Sequence, residues 1–86
     1  MKVGFRKCFN KQFNKLPVKI QETFSNKLEI FVVNPFSPIF NNHQLHGKLK
    51  NMRSINVSGD IRAVYEQIDK GKALFLMIGS HSDLYD

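Results

Sequence analysis

Apolar residues recur along the chain with two different periods, and the switches between them predict its elements. Lys2–Phe5 reads as a short strand. From Arg6 the period becomes helical: Phe9, Phe13 and Leu16 share one face, while Lys7, Lys11 and Lys15 share the other. Pro17 ends this helix and can occupy the first turn of the next, where its missing N–H costs nothing. Over Val18–Val33, Ile20, Phe24, Leu28, Phe31 and Val32 keep a helical period against Lys19, Glu22, Ser25, Asn26 and Glu29. Asn34-Pro35 stops the second helix, because a residue before proline is pushed out of the α region. Residues 39–50 show neither period and read as a loop that carries His43 and His46 to one end of a sheet.

The next segment alternates, and its register can be inferred. Ser54-Ile55-Asn56-Val57 and residues 61–68 predict two strands around a tight turn. A two-residue Ser58-Gly59 turn would set Val57 against Asp60 and Ile55 against Arg62, mixing apolar and charged groups on one face. A three-residue Ser58-Gly59-Asp60 loop instead pairs Val57 with Ile61, Asn56 with Arg62 and Ile55 with Ala63. Ile55, Val57, Ile61, Ala63 and Tyr65 then form an apolar face, and Ser54, Asn56, Arg62 and Glu66 an opposite polar one. Asp69-Lys70-Gly71-Lys72 is a second turn, and the run Ala73-Leu74-Phe75-Leu76-Met77-Ile78, apolar on both faces, is expected to be a central strand.

The order β-α-α-β-β-β predicts an α+β fold with a small antiparallel-rich sheet, an N-terminal helical hairpin on one face and an open basic face on the other. Eighty-six residues suit one domain spanning 1–86, with a small core for which eight Phe supply much of the material. The net charge is +6 and the pI near 9.7, with Lys2, Arg6, Lys7, Lys11, Lys15 and Lys19 all preceding the first acid, Glu22. Such a balance fits a polyanionic partner, and equally a lysine-rich soluble surface. A lone Cys8 excludes an internal disulfide, and no apolar run suggests a signal peptide or membrane span, so a cytoplasmic protein with no membrane partner is expected.

Chemistry-bearing residues concentrate between His43 and Arg62 and again around His81. His43 and His46 with His81, Asp60 or Cys8 could be imagined as metal ligands, but no Cys pair, no His-Glu-x-x-His helix and no established ligand spacing supports it; no metal and no cofactor are expected. Cleavage of RNA through its own 2′-hydroxyl needs a base, an acid and cations. His43, His81 and Asp60 can carry protons, and Arg62, Arg53, Lys48 and Lys50 can supply charge. Each also has a plainer reading: Lys48 and Lys50 as solvated loop lysines, Arg53 as a residue packed across from Tyr65, Asp60 as a turn residue, His81 as a helix cap. On chemistry alone a basic binding module is favoured over the nuclease.

The runs Asn42-His43-Gln44-Leu45-His46-Gly47-Lys48-Leu49-Lys50, Arg53-Ser54-Ile55-Asn56-Val57-Ser58-Gly59-Asp60-Ile61-Arg62-Ala63-Val64-Tyr65 and Ile78-Gly79-Ser80-His81-Ser82-Asp83-Leu84-Tyr85 resemble the RelE/ParE superfamily of bacterial toxins, most closely its YafQ-like branch. The amphipathic start with Phe9, Phe13, Leu16 and Pro17 is similar as well. The resemblance implies a toxin of a type II toxin-antitoxin system that cleaves mRNA on the ribosome and forms a hetero-oligomer with a cognate antitoxin, the toxin itself being monomeric. It also implies catalytic His43, Asp60 and His81, an Arg62 that stabilises the phosphate, a Tyr85 close to the cut nucleotide, and Lys48, Lys50 and Arg53 holding RNA. Two departures stand out: Asn56 replaces a usual histidine, though it can still donate to a phosphate oxygen, and Asn51 replaces a usual glycine. A ParE-like gyrase inhibitor and a catalytically decayed RNA-binding module are the alternatives.

Overall fold

The computed structural model describes residues 1–85. Five strands, β1 (Lys2–Phe5), β2 (His43–Gln44), β3 (Met52–Ser58), β4 (Ile61–Asp69) and β5 (Lys72–Ser80), accompany three helices, α1 (Lys7–Asn14), α2 (Val18–Val33) and α3 (His81–Tyr85). They form one mixed sheet in the order β1-β5-β4-β3-β2, antiparallel except for the parallel β1–β5 pair. This is the α+β architecture the periodicities predict, with the apolar Ala73–Ile78 run flanked by a strand on each side.

The helical hairpin covers the face that carries Ile55, Val57, Ala63 and Tyr65. Phe9, Phe24 and Phe31 descend from α1 and α2 onto Phe75 and Tyr65, and all are buried. Their rings meet mostly at tilted or edge-on angles, Phe24 with Phe75 at 5.6 Å and Phe31 with Tyr65 at 5.0 Å, the arrangement that ring quadrupoles favour. Gln12 of α1 accepts from the Ile78 backbone N–H at 2.9 Å, and Gln21 of α2 donates to the carbonyls of Phe13 and Leu16, so polar side chains fix the corners of the apolar layer.

The β3–β4 hairpin differs from expectation at one residue. Ile55 pairs with Ala63 and Asn56 with Arg62 as inferred, but Ser58, not Val57, is the registered partner of Ile61, with a bulge between Asn56 and Ser58. Two residues thus oppose one, and the turn shortens to Gly59-Asp60. The bulge keeps Val57 buried, and the Lys27 ammonium of α2 donates to the Val57 carbonyl. Gly59 sits at φ +48°, where a side chain would be strained.

The region expected to be a loop is partly ordered by pairing. His43 lies opposite Ser54 and Gln44 opposite Arg53, making β2 an edge strand, and Gly47–Leu49 forms a short 3-10 turn. The expectation of a fully open polar face also needs correction. Ser54 and Val64, on that face by register, are buried, and α3 packs against β5 with Leu84 beside Gly79.

Candidate functional site

The end of β5 and the β3–β4 turn meet at one rim of the sheet. Ile61 pairs with Ser80 and Arg62 with Gly79, and past the end of the ladder the His81 backbone N–H donates to the Asp60 carbonyl at 3.0 Å. Ser80 then caps α3, its Oγ accepting from the Asp83 N–H at 3.1 Å, an arrangement that starts a helix at His81 without further residues. Asp60 and His81, 21 positions apart, are therefore fixed as neighbours by backbone bonds, and both side chains are exposed.

Within α3 the His81 and Tyr85 rings lie one turn apart, their centroids 4.7 Å distant and nearly perpendicular. The Tyr85 hydroxyl donates to Ser54 Oγ at 2.7 Å, tying the C-terminal helix to β3. Between α3 and residues 45–49 opens a cleft of about 720 Å³ lined by Leu45, His46, Lys48, Leu49, His81, Leu84 and Tyr85. It pairs two imidazoles and an ammonium with an apolar floor, a composition suited to a base ring and its phosphate.

His43 stands on β2 directly opposite Ser54, the residue that holds Tyr85. Its Nδ1 faces the Asn41 carbonyl at 2.8 Å. A carbonyl only accepts, so Nδ1 donates, and it is Nε2 that can accept when the ring is neutral. Asn56 and Arg62 are cross-strand partners on the same sheet face as His43, both half-buried. The Arg62 guanidinium turns back to the hairpin, donating to the Gly59 carbonyl at 2.7 Å and that of Ile61 at 3.1 Å. It therefore braces the turn that carries Asp60 and has donors left for an anion.

Two residues expected to hold RNA stand elsewhere. Arg53 pairs with Tyr65 and so belongs to the helix-bearing face; its Nε donates to Asn42 Oδ1 at 2.7 Å, and its guanidinium lies 5.1 Å from the centroid of Phe36. Asn42 in turn donates to the hydroxyl of the fully buried Tyr65 at 2.7 Å and to the Pro35 carbonyl at 2.9 Å. Arg53 is thereby part of the scaffold under β2, as its place across from Tyr65 allowed. Lys50 borders a separate polar recess of about 360 Å³ with Gln44, Asn51, Arg53, Glu66 and Gln67, and its carbonyl accepts from Gln44.

From sequence, His46 is weighed only as a metal ligand, and Ser54 and Asn42 carry no role in the site. His46 shares the cleft with His81, and its spacing from His43 was the available signal. Ser54 anchors Tyr85, which no local pattern reveals. Asn42 supports the strand from which His43 projects. Among the described residues no group of three or more His, Cys, Asp or Glu side chains is placed to hold a metal ion, and no helix is long and apolar enough to cross a membrane.

No family model and no curated sequence matches the chain. Solved structures do. The conserved hypothetical protein HP0894 from Helicobacter pylori is 31% identical over 99% of both chains, with a TM-score of 0.69. YafQ from E. coli superposes with a TM-score of 0.80 at 19% identity, over 99% of this chain and 98% of that one. A YoeB/ParE toxin from Agrobacterium tumefaciens gives 0.78 at 15% identity, over 94% and 99%. YafQ has also been solved in a toxin-antitoxin complex with DinJ.

Proposed function

This chain belongs to the RelE superfamily of toxins, with YafQ-like members among its structural neighbours, and from that premise we propose that it is the toxin of a type II toxin-antitoxin pair, cutting mRNA on the ribosome by metal-independent acid-base chemistry. The observation that carries the reading is the backbone bond between Asp60 and His81, which makes the hairpin turn and the start of α3 a single rim above the cleft of Tyr85, His46 and Lys48.

In this reading His43 Nε2 takes the proton of the RNA 2′-hydroxyl, and the freed oxygen attacks the adjacent phosphorus. The bond from phosphorus to the 5′-oxygen breaks, and His81 returns a proton to that leaving oxygen, giving a 2′,3′-cyclic phosphate and a 5′-hydroxyl end. Asp60 orients the proton carrier beside it, while Arg62 and Lys48 neutralise the charge that grows on the phosphate. Asn56, where the YafQ-like pattern has histidine, donates a hydrogen bond to a phosphate oxygen but moves no proton. Tyr85 supports the base of the cut nucleotide with its ring, its hydroxyl being engaged with Ser54. Lys50 and Arg53 act from the polar recess and the scaffold, away from the reacting phosphate. The DinJ complex of YafQ supports a protein antitoxin as the partner that holds this chain inactive.

Expression of the chain without an antitoxin, with mRNA 5′ ends mapped during growth arrest, tests the reading. New ends within translated regions, lost in His81→Ala and His43→Ala, are expected. Growth arrest with no new ends would sink the nuclease and favour a target such as DNA gyrase. Toxicity unchanged in both histidine variants would favour a catalytically decayed binding module or the gyrase target.

A further inference from the structure

The strand that carries His43 has little of its own to hold it. β2 is two residues long, lies at the edge of the sheet, and exposes both His43 and Gln44. A segment with so few buried contacts frays, and a ring on it samples many orientations. The residues just before it are nonetheless fixed from both sides.

Asn41 is exposed and stands in the left-handed region, at φ 44° and ψ 48°, where a side chain strains the backbone and asparagine is tolerated better than most. Phe40 before it is fully buried, its ring 5.8 Å from that of Phe31. Asn42 after it has its side chain held by three segments. Its Nδ2 donates to the Pro35 carbonyl at 2.9 Å and to the Tyr65 hydroxyl at 2.7 Å, and its Oδ1 accepts from Arg53 Nε at 2.7 Å. Both amide hydrogens are thus used, and Tyr65 is itself fully buried. Anchored at Phe40 and Asn42, the backbone between them keeps a strained conformation that an exposed asparagine does not need for itself. Its consequence is the direction of the Asn41 carbonyl, which meets His43 Nδ1 at 2.8 Å.

We propose that Asn41 and Asn42 are positioning residues for His43: the left-handed turn at Asn41 aims a carbonyl that selects the Nδ1–H form of the neutral ring, and the Asn42 network holds that carbonyl in place. The inference rests on the reading of His43 as the base that takes the 2′-hydroxyl proton. That step needs a neutral ring with its lone pair on Nε2. An unrestrained neutral imidazole favours the other tautomer, with the proton on Nε2, and in that form it cannot act as the base. A bond at Nδ1 removes this loss of competent protein, and by fixing the ring plane it also fixes the direction in which Nε2 faces. Arg53 then acts on the reaction only through Asn42, from the helix-bearing side of the sheet.

The test reads the tautomer and the reaction separately. NMR shifts of the two ring nitrogens are measured on the free protein at about pH 8.5, where an ordinary histidine is neutral, with His43 identified by the loss of its signals in His43→Gln. In parallel, kcat and KM are measured for cleavage of mRNA on translating ribosomes. The parent ring should be mainly Nδ1–H. Asn41→Val, whose branched side chain opposes the left-handed region, and Asn42→Ala, which removes all three side-chain bonds, should return the ring to Nε2–H. Both should lower kcat about tenfold, below the roughly 10²–10⁴-fold that a general base contributes, with KM within about twofold of the parent. Asn41→Gly, which takes the left-handed conformation freely, should recover the tautomer and the rate that Asn41→Val loses. Should Asn42→Ala fail to fold, Tyr65→Phe removes one of the three partners with the buried ring left in place, and should move tautomer and kcat the same way by less. A parent ring in the Nε2–H form overturns the proposal, and so does a loss of kcat in Asn41→Val or Asn42→Ala with the tautomer unchanged, the result of a merely structural role. A raised KM at constant kcat would make these residues RNA contacts and overturn it too. If the ring responds as described but the parent cuts no mRNA, the nuclease reading fails while the selection of the tautomer stands.

Discussion

Tyr85 and Ser54 offer a test in which the direction of an asymmetry matters more than any single value. Ser54 is 1% exposed, and its hydroxyl accepts from the Tyr85 phenol. In Tyr85→Phe the serine oxygen loses this partner in a place water does not reach, which should cost about 1–3 kcal/mol. In Ser54→Ala the half-exposed phenol can turn to water, and the cost should be about 0.5–1.5 kcal/mol. Removing both leaves no orphan, so Ser54→Ala/Tyr85→Phe should be more stable than the additive sum by on the order of 1 kcal/mol. For a domain of this size each kcal/mol moves the Tm by about 4–8 °C, well within reach of thermal unfolding followed by circular dichroism on all four proteins. A double variant that melts at the additive sum, or a Tyr85→Phe as stable as the parent, would refute the docking of α3 described here. Since α3 carries His81, the same cycle asks whether the rim of Asp60 and His81 is held by this bond.

Two further outcomes follow from the hairpin. Lys27→Met keeps the aliphatic stem but strips the donor from the Val57 carbonyl at the bulge, and should lower stability by about 1–3 kcal/mol in urea unfolding, with Lys27→Arg restoring most of it; equal losses in both would remove the bond from the account. Gly59→Ala forces a side chain onto φ +48° and should cost about 1–2 kcal/mol, while Gly59→Asn, which tolerates that region better, should cost less; equal stabilities for the two would contradict the turn geometry.

Much of the scaffold is legible in the sequence because it rests on local periodicity. The two helices, the stop at Asn34-Pro35, and the pairing of Asn56 with Arg62 and Ile55 with Ala63 all follow from which positions must be buried. What escapes is non-local or short. The parallel β1–β5 pair joins segments some 70 residues apart, β2 has only two residues and therefore no period, and the bulge at Val57 keeps it buried with a two-residue turn where the burial pattern alone favours a three-residue loop. The site divides the same way. Asp60, His81 and Arg62 are legible as residue types, but their meeting depends on the last rungs of β4–β5 and the cap that Ser80 provides. Arg53 shows the limit of charge as a guide: its strand position, opposite Tyr65, decides its role more firmly than its cationic group.

In the proposed reaction the RNA's own 2′-oxygen is the nucleophile, acting at the rim formed by Asp60 and His81. The most direct measurement is a reconstituted translation reaction programmed with an mRNA that carries one 2′-deoxynucleotide at a mapped cleavage position. Cutting there should disappear while neighbouring ribose sites are still cut, with 5′-hydroxyl ends. Undiminished cleavage at the deoxy position, or 5′-phosphate ends, would contradict it.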